Sequence, residues 1–282
     1  MPKPLIACSR MYNLTPALAQ RWARLFEHVA ATAGIPLENI PHAAPAPLEA
    51  LWSREDLGLV FLCGRPFLQY GCRHRPVAAP LPADVIAVHP EERLPGALPT
   101  GSVYRSLLLT RELDGPRSLE ESFGLRVGFM AAHSQSGYNA LRARLAPHAL
   151  RRGTSRLFAC AKGPYPSPNA LLAALAEGDI DLAPVDSYAF ALYLRHAKPL
   201  IKGLHPIDAT DWTAMPFLAA SPGIDDDTVH ALTEACLLLH NSAGDLLRDL
   251  GLKGFTPVRP ARYAALAAQE AAAVSEGYLS PA

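Results

Sequence analysis

Serine, glutamine and glycine cluster at residues 134–137, which read Ser134, Gln135, Ser136 and Gly137. The apolar run at residues 125–130 predicts a buried strand before them, and the following residues predict a helix. A helix N-terminus carries unpaired N–H groups and a partial positive charge, so it attracts anions. Serine hydroxyls add hydrogen-bond donors, and a glycine lets a ligand approach the backbone closely. These residue types therefore predict a site for a small anion.

A serine cap is the other interpretation of residues 134–137, and it would stabilise the helix by about 1 kcal/mol. Two serines and a glycine are more than a cap needs. The segment does not match the Gly-x-x-x-x-Gly-Lys pattern of phosphate loops, so it does not predict ATP binding. From these residues alone, both the cap and the anion site stay open.

A second polar turn, Asp186-Ser187-Tyr188, follows another predicted buried strand. Asp186 is typical of a helix N-cap, and it is also a candidate acceptor for a ligand hydroxyl or ammonium group. Tyr104, Arg105 and Ser106 interrupt an otherwise apolar extended segment. The guanidinium of Arg105 is a candidate partner for an anion, and the alternative is an edge-strand arginine that lies in water.

A third predicted strand ends at Cys63-Gly64-Arg65, which offers an arginine and a free thiol. Cys63 as a catalytic nucleophile would need an adjacent base. None of the ten histidines has a spacing that ties it to Cys63, so an inert thiol is the favoured interpretation. No histidines or carboxylates show metal-ligand spacing, and we expect neither a metal nor another cofactor.

The composition is that of a folded protein, with 282 residues, 50% of them hydrophobic and 18% charged. This length predicts one large or two modest domains. The formal net charge is zero and no long basic tract occurs, which argues against nucleic-acid binding. No apolar run reaches the roughly 18 residues of a membrane span, so no direct membrane insertion is expected. Five cysteines without a Cys-x-x-Cys pair predict neither a disulfide framework nor a zinc site.

Predicted strands alternate with predicted helices along the whole chain, and the strands include residues 5–8, 57–62, 85–88, 125–130, 180–185, 200–201 and 217–219. This alternation predicts an α/β protein with parallel sheets covered on both faces. In such sheets ligands bind beyond the carboxyl ends of the strands. We therefore expect the site in four strand-end loops, at residues 9–13, 63–67, 133–138 and 186–188.

Four stretches together resemble the phosphate/phosphite/phosphonate substrate-binding proteins of ABC transporters: GSVYRSLLLTR, SLEESFGLRVGFMAAHSQSGY, ALLAALAEGDIDLAPVDSYAF and MPFLAASPGIDDDTVHALTEAC. The family's Ser-x-Ser-Gly-Tyr loop matches residues 134–138, and its Val-Asp-Ser strand end matches residues 185–187. The resemblance implies a type II periplasmic-binding-protein fold. That fold has two Rossmann-like α/β lobes, joined by a two-segment hinge, with the ligand cleft between them. We expect lobe 1 to span residues 1–108 and 216–282, and lobe 2 to span residues 109–215.

The resemblance also implies ligand-binding residues, namely Ser134, Gln135, Ser136, Tyr104 and Asp186. We also include Arg105, Tyr12 and Arg65 because they lie at predicted strand ends. Gly137, Tyr138 and Ser187 are included because they lie in the same turns. One stretch departs from the family, because residues 163–166 read Gly-Pro-Tyr-Pro where phosphonate binders have Gly-Ser-His. The resemblance therefore gives the class of anion and does not name one.

The function that the resemblance implies is non-enzymatic binding of a small anionic solute that is phosphonate- or phosphate-like. The expected partner is an ABC-transporter permease. A related role as a solute sensor is also consistent with the resemblance. The alternatives are an enzyme on the same fold with catalytic Cys63, and a ligand-sensing module of a regulator. No secretory signal precedes residues 5–8, so the sequence as it stands predicts a cytoplasmic protein, and a periplasmic one if a signal has been removed.

Overall fold

The computed structural model describes residues 3–94 and 96–281. In chain order its strands and helices are β1 Leu5–Cys8, α1 Pro16–Ala33, β2 Leu37–Asn39, α2 Leu48–Trp52, β3 Leu57–Leu62, α3 Gly64–Gln69, β4 Arg75–Pro82, β5 Val103–Tyr104, β6 Ser106–Arg111, β7 Arg126–Met130, α4 Ala140–Arg152, β8 Cys160–Tyr165, α5 Pro168–Ala176, β9 Ala183–Asp186, α6 Ser187–His196, β10 Leu204–Ala209, β11 Thr213–Ala214, β12 Phe217–Ala220, α7 Asp226–Ser242, α8 Gly244–Asp249, β13 Leu252–Thr256 and α9 Ala264–Ser275. Short helical turns lie at Arg10–Tyr12, Pro90–Arg93, Glu120–Ser122, Gln135–Asn139, Lys198–Ile201 and Pro260–Tyr263.

The described residues form two compact units. Unit 1 contains residues 3–84, 101–103 and 214–263, and unit 2 contains the remainder. This division differs from the expected lobes, since residues 85–100, 104–108 and 264–281 belong to unit 2. The C-terminal helix α9 packs against α4 of unit 2, and Tyr278 after it is fully buried in the core of that unit.

Unit 1 is built on a six-stranded sheet in the order β13-β4-β12-β3-β1-β2. Strand β1 is parallel to β2 and β3, whereas β12 is antiparallel to both β3 and β4, and β13 is antiparallel to β4. The expectation of purely parallel sheets is therefore wrong. The exceptions, β12 and β13, both follow the return of the chain from unit 2, so they enter the sheet in the opposite direction.

The strand β4 was not predicted, because its eight residues include three prolines. Proline cannot donate to a sheet ladder and usually argues against an inner strand. Here both neighbouring ladders contain a register shift that accommodates them. Two predicted strands are absent: residues 85–88 have no regular structure, and residues 200–201 lie in the helical turn Lys198–Ile201, which precedes β10.

Helix α1 shows how the sequence sets the core of unit 1. Its N-terminus is capped by the hydroxyl of Thr15, which accepts from the N–H of Leu18 at 3.2 Å, and Pro16 occupies the first helical position. One face of the helix carries Trp22 and Leu25, which are fully buried. The ring of Trp22 meets that of Phe61 on β3 edge to face, with centroids 5.0 Å apart.

Unit 2 contains an antiparallel sheet in the order β10-β6-β9 and the parallel pair β7-β8. Val127 of β7 bridges to Leu182, just before β9, so the two sheets meet there. Asp181 reinforces this junction, because its carboxylate takes two hydrogen bonds from the guanidinium of Arg126 and one from Arg111. These contacts hold the starts of β7 and β9 side by side. Because the chain runs parallel there, the carboxyl ends of both strands lie at the same edge of the unit.

None of the helices that the structure describes combines the length and the apolar composition that crossing a bilayer requires.

We predict that Leu25→Ala lowers the free energy of unfolding by about 2–5 kcal/mol, because it leaves a cavity in a fully buried layer. Urea titration followed by circular dichroism measures the change. Leu238→Ala is the matched control, since Leu238 on α7 is 45% exposed and its truncation should cost less than about 1 kcal/mol. Equal losses in the two variants would contradict the assigned core.

Candidate functional site

The turn Gln135–Asn139 directly follows β7 and leads into α4. Ser134 caps it, because its hydroxyl accepts a hydrogen bond from the N–H of Gly137 at 3.0 Å. The N–H of Asn139 reaches back five residues to the carbonyl of Ser134, which makes this a turn of the wide π type. The prediction of a serine cap is confirmed.

Several donors of this turn have no acceptor among the described residues. The N–H groups of Gln135 and Ser136 make no hydrogen bond there, and neither does the hydroxyl of Ser136. The hydroxyl proton of Ser134 is also uncommitted, since that group serves only as an acceptor. The cap thus uses one serine lone pair and leaves two hydroxyl protons and two N–H groups without an acceptor among the described residues.

The hydroxyl of Ser106 fastens the turn to the sheet of unit 2. It donates to the carbonyl of Ser136 at 2.6 Å, and Ser106 itself is fully buried. In the antiparallel pairing of β6 with β9, Ser106 stands opposite Asp186. The start of β6 therefore joins the two polar turns that the sequence singled out, at 134–138 and at 186–188.

Asp186 caps helix α6, as its sequence position predicts. One carboxylate oxygen accepts the N–H groups of Tyr188 at 2.8 Å and Ala189 at 3.0 Å. Ser187 ties the same corner to β6, because its hydroxyl accepts the N–H of Arg105 while its own N–H donates to the Arg105 carbonyl. The negative charge of Asp186 is thus fixed beside the serine turn.

Gln135 and Tyr138 hold the turn against the C-terminal segment. The side-chain amide of Gln135 is fully buried, donating to Gln269 on α9 at 3.3 Å and accepting from Asn139 at 3.0 Å. The hydroxyl of Tyr138 donates to the carbonyl of Leu279 at 3.3 Å. Both side chains make hydrogen bonds within unit 2, and these bonds explain why the turn contains a glutamine and a tyrosine.

The structure gives a steric reason for the presence of glycine at position 137, in addition to the ligand approach that the sequence suggested. A Cβ at this position would lie 2.3 Å from the Cβ of Met130 and 2.4 Å from its Cγ. The side chain of Met130 therefore occupies the space that a side chain at residue 137 would need. A glycine is needed here so that the turn can pack on the end of β7.

Arg105 fits neither interpretation that the sequence left open. It is 4% exposed, so it does not lie in water at an edge. Its guanidinium forms a two-pronged pair with Glu92, at 2.5 and 2.7 Å, donates to the Ile86 carbonyl and stacks on the ring of Trp212. An anion at Arg105 would have to displace Glu92.

The pKa of Glu92 is lowered from its ordinary 4.5 to about 2, mainly by the hydrogen bonds from Arg105. Two backbone N–H groups, of Val88 and His89, donate to the same carboxylate and act in the same direction. The pair thus ties residues 85–94 to the residue before β6, and it neutralises the charge of Arg105.

The other predicted site residues lie in the interior. Tyr104 is 1% exposed on β5. In unit 1, Tyr12 is 1% exposed and packs edge to face on Phe61, with centroids 4.9 Å apart, and Arg65 on α3 is 8% exposed. Cys63 precedes α3 and is 5% exposed. No group of metal-ligating side chains occurs within residues 3–94 and 96–281.

Sequence reasoning assigned no role to Ser106, which holds the turn, or to Glu92, which holds Arg105. A lone serine opening the apolar run of residues 106–109 was an available signal for Ser106. Glu92 had none, because its partner Arg105 lies 13 residues away across an irregular segment.

The family model for the periplasmic substrate-binding protein of phosphonate ABC transporters matches residues 12–263. The chain belongs to this family. The predicted family is therefore confirmed, and with it the function class of a substrate-binding protein. No curated protein sequence matches the chain.

Three solved structures share the fold at low sequence identity. A binding protein component of an ABC phosphonate transporter from Pseudomonas aeruginosa has a TM-score of 0.76 at 14% identity, covering 98% of this chain and 88% of that one. PhnD1 from Prochlorococcus marinus, in complex with methylphosphonate, has a TM-score of 0.72 at 15% identity, covering 99% and 100%. XAC2383 from Xanthomonas citri, bound to ATP, has a TM-score of 0.60 at 18% identity, covering 98% of each chain. The predicted fold class, two α/β lobes of the type II periplasmic binding proteins, is confirmed.

We predict that Gly137→Ala destabilises the protein by about 1–3 kcal/mol, since the new methyl group overlaps Met130. Thermal unfolding of the single variant measures the loss. The double variant Gly137→Ala/Met130→Gly removes the overlapping atoms, so its loss should be smaller than the sum of the two single losses. Simple additivity would refute a steric cause.

We predict that Glu92→Gln lowers the free energy of unfolding at pH 7 by about 3–5 kcal/mol, because Arg105 loses its buried counter-charge. The folded pKa lies below the ordinary one, so the stabilisation by Glu92 is complete above pH 4.5 and disappears as the pH falls toward 2. The difference between wild type and variant should shrink over that window. The exposed neighbour Glu91, changed to Gln, is the control, and a pH-independent difference would contradict the assignment.

Proposed function

We propose that this chain binds a small phosphonate- or phosphate-like anion at the Gln135–Asn139 turn, carries out no chemistry on it, and delivers it to an ABC-transporter permease. The observation that carries the proposal is the set of uncommitted donors at the turn: the N–H groups of Gln135 and Ser136 and the hydroxyl protons of Ser134 and Ser136. A tetrahedral oxyanion presents several acceptor oxygens to such a set, and the N-terminal end of α4 beyond the turn favours its charge.

The fixed carboxylate of Asp186 narrows the chemistry of the ligand. A fully ionised phosphate beside it would meet a like charge. A ligand that presents a protonated oxygen, a hydroxyl or an ammonium group to Asp186 turns that repulsion into a hydrogen bond. We therefore propose a monoanionic phosphonate, or one with an amino group, as the better ligand.

The roles of the predicted residues divide accordingly. Ser134 and Ser136 donate to the anion, and Asp186 accepts from it. Gln135, Gly137, Tyr138 and Ser187 shape the turn, and Tyr104 and Arg105 support it from the adjoining strands. Tyr12 and Arg65, which belong to unit 1, remain predicted ligand-binding residues.

A binding role is preferred to the enzyme alternative because Cys63 is 5% exposed and lies beside the core of unit 1. A thiol that substrates do not reach is a poor nucleophile. The family is periplasmic, and we propose that this chain also works there, on the side from which its permease takes up solute. A stand-alone sensor role would keep the same ligand and lack the permease.

We predict that methylphosphonate binds the wild type and that Ser136→Ala weakens it by about 10- to 100-fold, the value of one hydrogen bond to a charged group. Isothermal titration calorimetry measures both affinities, with inorganic phosphate and an aminoalkylphosphonate as further ligands. Ser155→Ala, at an exposed serine of the same unit, is the control and should leave the affinity unchanged.

Asp186→Asn distinguishes the ligand classes in the same experiment. It should weaken the aminoalkylphosphonate more than methylphosphonate, since the ammonium group loses its counter-charge. Unchanged affinity in Ser136→Ala, or no binding of any of the three ligands, would refute the proposed site.

A further inference from the structure

The C-terminal segment of unit 2 consists of helix α9 and residues 276–281. Helix α9 packs on α4 and also contacts the turn Gln135–Asn139, which carries the uncommitted donors. The family match ends at residue 263, so the whole segment lies outside it. The match therefore gives α9 no role, although α9 lies against the candidate site.

The side-chain amide of Gln135 links the turn to α9. It is fully buried and both of its ends are bonded, because Nε2 donates to Oε1 of Gln269 at 3.3 Å and Oε1 accepts from Nδ2 of Asn139 at 3.0 Å. A flipped or displaced amide would leave buried donors and acceptors unpaired, which is costly. Gln269 on one side and Asn139 on the other therefore set the orientation of Gln135.

Arg142 extends this chain of polar contacts back to the C-terminal segment. It is 5% exposed, and its Nη2 donates to Oδ1 of Asn139 at 3.5 Å and lies 3.8 Å from Oε1 of Glu270 on α9. Its Nη1 donates at 3.2 Å to the carbonyl of Leu279, which also accepts from the hydroxyl of Tyr138. The network thus begins and ends on the C-terminal segment, with the turn between its two ends.

Tyr278 anchors the segment in the core of unit 2. It is fully buried in the same apolar cluster as Leu141 and Leu145 of α4, and Ala273 of α9 belongs to that cluster too. The hydroxyl of Tyr278 donates to the carbonyl of Pro281 at 3.0 Å, so the buried phenol is satisfied. A segment anchored in this way can hold the turn in place.

Two anchors from different elements act on neighbouring residues of the turn. Ser106 of β6 holds the carbonyl of Ser136, and Gln269 of α9 holds the side chain of Gln135. The N–H groups of Gln135 and Ser136 have no acceptor among the described residues. Hydrogen bonds depend on direction, and donors that are already oriented lose less freedom when a ligand binds. A residue that orients these two groups would therefore raise the affinity for an anion without touching it.

We propose that Gln269 is a positioning residue of the anion site, which makes α9 part of that site. The inference rests on the proposed function, because the donors concerned are those of the turn Gln135–Asn139. Gln269 acts as an acceptor, holding the amide of Gln135 and, through it, the direction of the N–H groups of Gln135 and Ser136.

Gln269→Leu tests the proposal, because it removes the acceptor and keeps a side chain of similar size. In the ligand-free protein, hydrogen exchange followed by NMR should show the N–H of Asn139, which donates to the Ser134 carbonyl at 3.1 Å, exchanging about tenfold faster. The N–H of Leu145, fully buried within α4, should keep its protection. Isothermal titration calorimetry should show methylphosphonate binding weakened by about 5- to 10-fold, the effect of one lost hydrogen bond.

Two further variants separate the hydrogen bond from the bulk of the side chain. Gln269→Glu keeps an acceptor oxygen, so the N–H of Asn139 should exchange as slowly as in the wild type. Ala268→Leu places the same leucine at the exposed neighbouring position of α9, and it should change neither the exchange rate nor the affinity.

Unchanged protection of the Asn139 N–H in Gln269→Leu would overturn the inference, and so would equally fast exchange in Gln269→Glu. If the wild type binds methylphosphonate and Gln269→Leu binds it equally well, the inference falls and the proposed function stands. If the wild type binds neither methylphosphonate, inorganic phosphate nor an aminoalkylphosphonate, the proposed function falls and the positioning role at the site falls with it. The exchange rates then still decide whether Gln269 holds the turn.

Discussion

The first N–H groups of a helix need acceptors, and this constraint organises both units. Four helices satisfy it with a side chain that precedes them, from Thr15, Ser167, Asp186 and Asp225. The turn after β7 begins with the same device, Ser134, but leaves more donors than that one hydroxyl can serve. The candidate site is therefore a capped helix start at which several donors have no acceptor among the described residues, and in the proposed function a ligand oxygen accepts from them.

Helix caps and buried helix faces could be predicted from the sequence, because the residues that form them are neighbours in the chain. Thr15 with Pro16, the fully buried face of α1 and the Asp186 cap all depend on residues within a few positions. Features set by distant partners could not be predicted. Arg105 depends on Glu92, the need for glycine at 137 depends on Met130, and β4 depends on strands that accept its prolines. The family resemblance supplied the fold because it reflects the whole chain.

The pairing of Arg105 with Glu92 bears on how the turn would hold an anion in the proposed function. With that guanidinium neutralised, the donors at the turn are hydroxyls and backbone N–H groups, all uncharged. Such donors are directional, so they select by the geometry of the oxygens more than by the charge of the ligand. Their contribution is also screened less by salt than that of exposed arginines, since it acts at hydrogen-bonding distance.

The position of Asp186 extends this argument to selectivity. The carboxylate is held by two N–H groups of α6 and stands opposite Ser106, whose hydroxyl fixes the turn, so neither partner moves independently. A rigid acceptor beside rigid donors distinguishes ligands by where they carry a proton. Sulfate, which carries none near neutral pH, would leave the carboxylate facing a like charge, whereas a monoprotonated phosphonate would donate to it. In the proposed function, the turn would thus separate two tetrahedral anions of similar size by protonation.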